Sequence, residues 1–226
     1  SAIADLLFDN FDAHRVLVVA PLRVARDTWP AEIEKWAHLQ DLTYTVAVGS
    51  TRERKAALMV SADITIINRE NLSWLIESSG FPFDYDTVVI DELSSFKNHQ
   101  SKRFKALLRV RPKLKRIIGL TGTPSSNGLM DLWAEFRLLD MGHRLGRFIT
   151  QYRNTFFLPD KRNGQIIYSY KPMLGAEEAI YSRISDITIS MKSTDHLKMP
   201  ELVSTRYEVY LSDAEADRYE ELKQAL

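Results

Sequence analysis

Apolar residues along this chain keep two rhythms, and the change from one to the other predicts its elements. Short unbroken runs of branched side chains occupy Arg15–Ala20 (RVLVVA), Thr43–Val48, Asp63–Ile67 (DITII), Asp86–Ile90 and Arg116–Leu120 (RIIGL). The continuous run Arg15–Ala20 is what a strand covered on both faces looks like, and the other four read as strands too. Between them apolar positions recur every third or fourth residue. Trp29, Ile33 and Trp36 share a helical face, with Pro30 in a first turn or at a kink. Ser50 and Glu53 form a capping box that opens a helix to about Met59. Asn71–Ser78 reads as a short helix, and Ser101–Val110 as one that turns Phe104, Leu107 and Leu108 inward. The opening SAIADLLFDNF has Ile3, Leu6, Leu7 and Phe11 on one helical face. Strands alternating with helices predict right-handed crossovers and a largely parallel sheet with helices on both faces, as far as about Asp140.

The rhythm changes beyond that point. NTFFL and QIIYSY flank Asn163-Gly164, a strong hairpin signal, between Asn154 and Tyr170. The hairpin aromatics Phe156, Phe157, Tyr168 and Tyr170 suit a core or a contact surface equally. Ser204–Leu211 alternates like a strand, and Ser212 with Glu215 caps a last helix. Three segments follow: a lobe over 1–145, a helix and hairpin excursion over 146–200, and a closing strand and helix over 201–226. Neither end has the look of a natural terminus, and the opening lacks the basic flank and cleavage site of a signal peptide.

Composition narrows the classes. At 226 residues, 45% hydrophobic and 27% charged, the chain is long enough for one sizeable core, and no apolar run approaches a membrane span. No membrane partner is expected. There is no Cys, which removes disulfides, thiolate metal sites and cysteine nucleophiles, and the five His show no metal-ligand spacing. Net charge is zero, but Leu93–Met130 holds nine of the 30 basic residues and none of the 30 acidic ones. Lys102, Arg103, Lys105, Arg109, Arg111, Lys113, Lys115 and Arg116 are either a phosphate-facing patch or the solvated side of a helix and turn. Trp29, Trp36 and Trp133 sit among apolar neighbours at helical spacing and are expected in the core.

The chemistry-bearing stretches lie at strand ends, where ligands of parallel α/β sheets collect. TVVIDELSSFKN, Thr87–Asn98, ends a buried run in Asp91 and Glu92. One use of such a pair is nucleotide hydrolysis, with one carboxylate holding Mg²⁺ through its water and the other orienting and deprotonating the attacking water. The plain alternative is a strand running into solvent. One strand later comes GLTGTPSSN, Gly119–Asn127, with Gly122 permitting close backbone approach and the hydroxyls of Thr121 and Thr123 at the tip.

Together VVIDELSSFKN and LTGTPSSNGLMDLWAEFRLL resemble motifs II and III of the Swi/Snf-type ATPases, the Snf-two family of superfamily-two helicase-like motors. APLRVARDTWPAEIEKW resembles motif Ia with its helix, VGSTRERKAAL the next block, DITIINRENL the strand ending in motif Ic, and LKMPELVSTRYEVYLSDAEADRYEEL the segment closing the first lobe. The resemblance implies a RecA-like P-loop NTPase lobe with a β-hairpin excursion, cytoplasmic in a prokaryotic or phage-infected cell or nuclear in a eukaryote. It implies ATP and Mg as cofactors of the parent, double-stranded DNA as partner, Asp91 as the carboxylate linked to Mg²⁺, and Glu92 as the base. Thr121, Gly122 and Thr123 would couple nucleotide state to lobe movement; Pro21, Arg23, Asn68 and Arg69 would face one DNA strand. Ser94 stands where the family commonly has His. The family's phosphate loop, G-x-x-x-x-G-K-[ST], occurs nowhere in the 226 residues. The expectation is therefore an incomplete lobe, without that loop and without the second RecA-like lobe, and inactive alone. Two other readings stay open: an interaction module without catalysis, and a metal-dependent nuclease using Asp91 and Glu92, which would need further carboxylates.

Overall fold

The structure is a computed structural model that describes residues 1–122, 128–163, 166–191, 205, 207–208 and 210–224. It contains two compact units, Ser1–Ile187 and Thr188–Leu226. In the first, five parallel strands, β1 (Val16–Ala20), β2 (Tyr44–Ala47), β3 (Ile64–Asn68), β4 (Thr87–Asp91) and β5 (Arg116–Leu120), form one sheet in the order β2-β3-β1-β4-β5. Each predicted strand is present to within a residue at either end. β1 and β3 are buried along their whole length, as their unbroken apolar runs require.

The pleat divides each strand between two cores. Leu17, Val19, Ile67, Val88 and Ile90 face one side. They pack under α4 (Leu72–Glu77), α5 (Lys102–Val110), α6 (Leu132–Leu139), α7 (Ile149–Phe156) and α8 (Ala176–Ile184). Val16, Val18, Ala20, Ile64, Ile66 and Val89 face the other. There the cover is α1 (Ala2–Ala4) with the wide turn Asp5–Asp9, and α2 (Trp29–Lys35). α3 (Thr51–Leu58) opens on the expected capping box: Ser50 accepts from the Glu53 amide, and Glu53 accepts from the Ser50 amide.

Four expectations are corrected. Phe11 leaves its predicted helical face; it has a left-handed φ of 52° and is 74% exposed. Trp36 is not core either, being 46% exposed with its indole on Glu32. NTFFL is mostly helix, because α7 runs to Phe156 before β6 (Phe157–Pro159) begins. Phe156 and Phe157 thereby close the main core around Tyr152, while Tyr168 is exposed. β6 pairs antiparallel with β9 (Tyr170–Pro172), and within that ribbon β7 (Arg162–Asn163) pairs with β8 (Ile166–Ile167). Gly164 of the expected turn lies outside the described residues. The fourth correction is Ser204–Leu211, whose described residues carry no strand; 204, 206 and 209 are not among them. In the second unit, α9 (Asp213–Gln224) begins at Ser212, whose amide and hydroxyl both donate to Glu215. No helix among the described residues is long and apolar enough to cross a membrane.

Candidate active site at the carboxyl edge of the sheet

Strand register alone assembles the candidate residues. Ala20 pairs with Asn68, Val19 with Ile90, and Asp91 with Leu120, so Asn68 and Asp91 end their strands level with each other, and Pro21 and Thr121 follow one residue beyond on the neighbouring strands. The chain quits β4 sharply. Asp91 is the last strand residue, and Glu92 adopts a left-handed conformation, φ 66° and ψ 65°. For a residue with a Cβ this costs on the order of 1–2 kcal/mol. The two carboxylates are separated by this turn, not by strand alternation.

The strain is held by hydrogen bonds. Glu92 Oε1 accepts from Thr121 Oγ1 at 3.0 Å and from the Ser94 hydroxyl at short range. The link between the acidic motif and the following strand is therefore direct, with Ser94 gripping the same oxygen from its own turn. Both donors lie on one oxygen, and among the described residues Oε2 has no protein partner. Gly119 makes the fit possible. A Cβ there would meet Leu93 Cδ2 at 2.5 Å, so Leu93 would have to shift from its place over β5 if residue 119 carried a side chain. Gly122, predicted to serve close approach, has nothing among the described residues within 4 Å of a Cβ position. Thr123 lies outside the described residues.

Asp91 has a partner that the sequence did not suggest. The Trp29 indole Nε1 donates to Asp91 Oδ2 at 2.9 Å. Helical periodicity marks Trp29 as an apolar-face residue, and nothing in the pattern reveals which acceptor its N–H finds. Glu135 was missed for the same reason. It sits in α6 among buried Leu132, Trp133, Ala134, Phe136 and Leu138, and is itself 1% exposed. Burial pushes its carboxyl up to about 8, helped by the negative charges of Asp131 and Glu92 and opposed by Lys97. Lys97 Nζ meets Asp131 Oδ2 at 3.3 Å, tying the segment after the carboxylates to the start of α6.

The residues expected to face DNA divide. The half-buried Pro21 and the exposed Arg23 follow the end of β1. Asn68 is 5% exposed, donates to Glu70 at 2.9 Å and accepts from Asn71 at 2.5 Å. Arg69 donates to Glu70 at 2.9 Å. The basic stretch divides too. Arg111 is buried and donates to the Leu138, Leu139 and Leu114 carbonyls at 2.5, 2.6 and 3.3 Å, closing the end of α6. Arg109 pairs with Glu77 at 3.1 Å and Arg116 with Asp12 at 3.5 Å. A single phosphate-facing row through Arg109, Arg111 and Arg116 does not exist. Among the described residues no three His, Asp or Glu side chains converge on a cation position, so the nuclease reading finds no further carboxylates there.

A five-stranded parallel sheet with an acidic pair at the end of β4, its Glu92 hydrogen-bonded to Thr121 just past β5, has the arrangement of a RecA-like lobe. The SNF2-related domain model matches residues 6–221, and the chain belongs to that family. Protein p41 of Acyrthosiphon pisum secondary endosymbiont phage 1 is 33% identical over the whole chain and 50% of its own length. "Putative ATP-dependent helicase/translocase YwqA" of Bacillus subtilis is 27% identical over 91% of this chain and 21% of that protein. The solved Sulfolobus solfataricus SWI2/SNF2 ATPase core in complex with double-stranded DNA superposes with a TM-score of 0.63 at 26% identity, covering 84% of this chain and 36% of that one. The chain thus spans half or less of these relatives.

Proposed function

We propose that this chain is the first motor lobe of an ATP-driven translocase on double-stranded DNA, and that it hydrolyses ATP only within a longer parent. The observation that carries the reading is the grip of Ser94 and Thr121 on Glu92 Oε1, beside Asp91, in a chain of the SNF2-related family. With Oε1 held, Oε2 is the oxygen left to orient a water and take its proton. Asp91 would hold Mg²⁺ through water, and such an ion supplies charge neutralisation at the phosphates. A lone carboxylate with Oδ2 on an indole and Oδ1 without a protein partner among the described residues fits that indirect role. Because Thr121 bonds the base itself, a shift of the loop after β5 changes where Glu92 points. That is the coupling proposed for Thr121, Gly122 and Thr123.

On the nucleic-acid side, Arg23 and the backbone after Pro21 would contact phosphates. Asn68 and Arg69, engaged with Glu70, would act through backbone amides and position; contacts of this kind orient a duplex without reading its sequence. The 226 residues hold no G-x-x-x-x-G-K-[ST] loop, so the proposal assigns phosphate binding and the second lobe to chain outside them. β5 agrees with that assignment. Its residues are half-buried or exposed, unlike the buried runs of β1, β3 and most of β4, and this leaves a sheet edge where a further strand can add.

Calorimetry tests the reading. Mg-ATP added to this chain is expected to show no binding tighter than millimolar, while the parent protein shows DNA-stimulated hydrolysis that Glu92→Gln abolishes. A micromolar site on the chain would refute the assignment of phosphate binding elsewhere. A parent that binds DNA without hydrolysis would instead favour the interaction module.

A further inference from the structure

We infer that Trp29 is a positioning residue for Asp91, joining the segment that carries Pro21 and Arg23 to the carboxylate that ends β4. The inference rests on the proposed role of Asp91. Trp29 is the first residue of α2, reached from β1 through Pro21, Arg23 and the five-residue wide turn Val24–Thr28. Pro30 directly behind it fixes the backbone of the helix start. The ring packs against the core formed by Val16, Val18, Ala25 and Ile33, and its Nε1 reaches Asp91 Oδ2 at 2.9 Å across 62 residues of chain.

Three physical points give this contact a purpose beyond satisfying a half-buried N–H. An indole can only donate, so it holds the carboxylate as an acceptor and a charge-assisted bond results. The ring has two side-chain torsions and packs, partly buried, against that core, so little freedom is lost in holding Asp91 still. Fixing Oδ2 leaves Oδ1 as the oxygen available at the carboxyl edge. Lys97, the cation nearest in sequence, is directed to Asp131. A displacement of the Pro21–Arg23 segment is therefore transmitted to Asp91 through a rigid ring. One contact joins the edge expected to touch DNA to the edge expected to touch nucleotide.

The test uses the chain itself, labelled with ¹⁵N, together with the parent protein. The four indole N–H signals, from Trp29, Trp36, Trp74 and Trp133, are assigned by single Trp→Phe substitutions, and the untouched indoles report that each variant folds. Asp91→Asn is expected to shift the Trp29 signal upfield and leave Trp74 and Trp133 in place. Asp91→Ala provides the same readout if the Asn variant misfolds. A Trp29 signal unmoved in both variants overturns the inference. In the parent, Trp29→Phe is expected to lower kcat about tenfold, equivalent to about 1.4 kcal/mol in the barrier, with KM for ATP within about twofold. Unchanged kcat would reduce Trp29 to a packing residue and overturn the positioning role. Millimolar Mn²⁺ with ATP, added to the parent protein carrying the same label, separates this inference from the reading beneath it. Broadening of Trp29 ahead of Trp74 and Trp133 supports both, whereas an Asp91-dependent Trp29 signal with no broadening keeps the contact and refutes the metal role of Asp91.

Discussion

Replacing Glu135 by Gln should flatten the dependence of stability on pH. The side chain is 1% exposed in the middle of α6, one of its oxygens has no hydrogen-bond partner, and its pKa rises from 4.5 to about 8. Burial is the main cause, with Asp131 and Glu92 adding repulsion that Lys97 only partly offsets. The folded pKa lies above the unfolded one. The stabilising contribution is therefore complete below about pH 4.5 and is lost as pH rises towards about 8. At pH 7 the interval above the unfolded value is worth about 3 kcal/mol at 1.36 kcal/mol per unit. For a domain of this size that is roughly 6–12 °C in Tm. Gln keeps the shape and cannot ionise. It brings a buried N–H₂ of its own, which costs about 1–3 kcal/mol at every pH, so the slope and not the offset is the observable. Thermal melts of both proteins from pH 5 to pH 8 should converge or cross, with the Gln variant gaining on the wild type by a few kcal/mol across the range. Parallel curves would mean that Glu135 ionises freely when folded, and the account of its burial would be wrong.

Two further substitutions test the packing around the site. Arg111→Met should destabilise the chain by about 2–4 kcal/mol, because it strips the Leu138 and Leu139 carbonyls at the end of α6 and the Leu114 carbonyl before β5 of their donor. Arg109→Glu, at an exposed pair with Glu77, should change urea stability by less than about 1 kcal/mol and leave the salt slope of DNA binding by the parent unchanged; equal losses for the two would refute the distinction drawn between them. Gly119→Ala should cost about 1–3 kcal/mol through its contact with Leu93, and Leu93→Ala introduced with it should recover part of that loss. Strictly additive losses would show that Leu93 does not rest on residue 119.

The sequence by itself determined the sheet. Five short runs rich in branched apolar residues became five strands within a residue at each end; β1 and β3, buried on both faces, admit little else, while β2 and β5 keep partly exposed positions. It determined the caps at Ser50 and Ser212, where short side chains answer amides three residues away or the matching Glu. It also placed Asp91, Glu92 and Thr121 at strand ends, since the position of a strand end follows from where its apolar run stops. Local pattern was insufficient where a side chain had to select among distant partners. Trp29 and Glu135 lie on helices whose periodicity describes faces, not neighbours, so neither the bond to Asp91 nor the raised pKa was readable. Arg111 belonged to a run of basic residues until the end of α6 arrived beside it and took its Nε and Nη2 donors. NTFFL carried β-forming residues, yet Phe156 stayed helical because the core around Tyr152 and Ile180 buries it there. Tertiary structure decided these cases because desolvation, charge pairing and aromatic packing depend on which surfaces meet, and that is set by the crossovers of the sheet, not by neighbours along the chain.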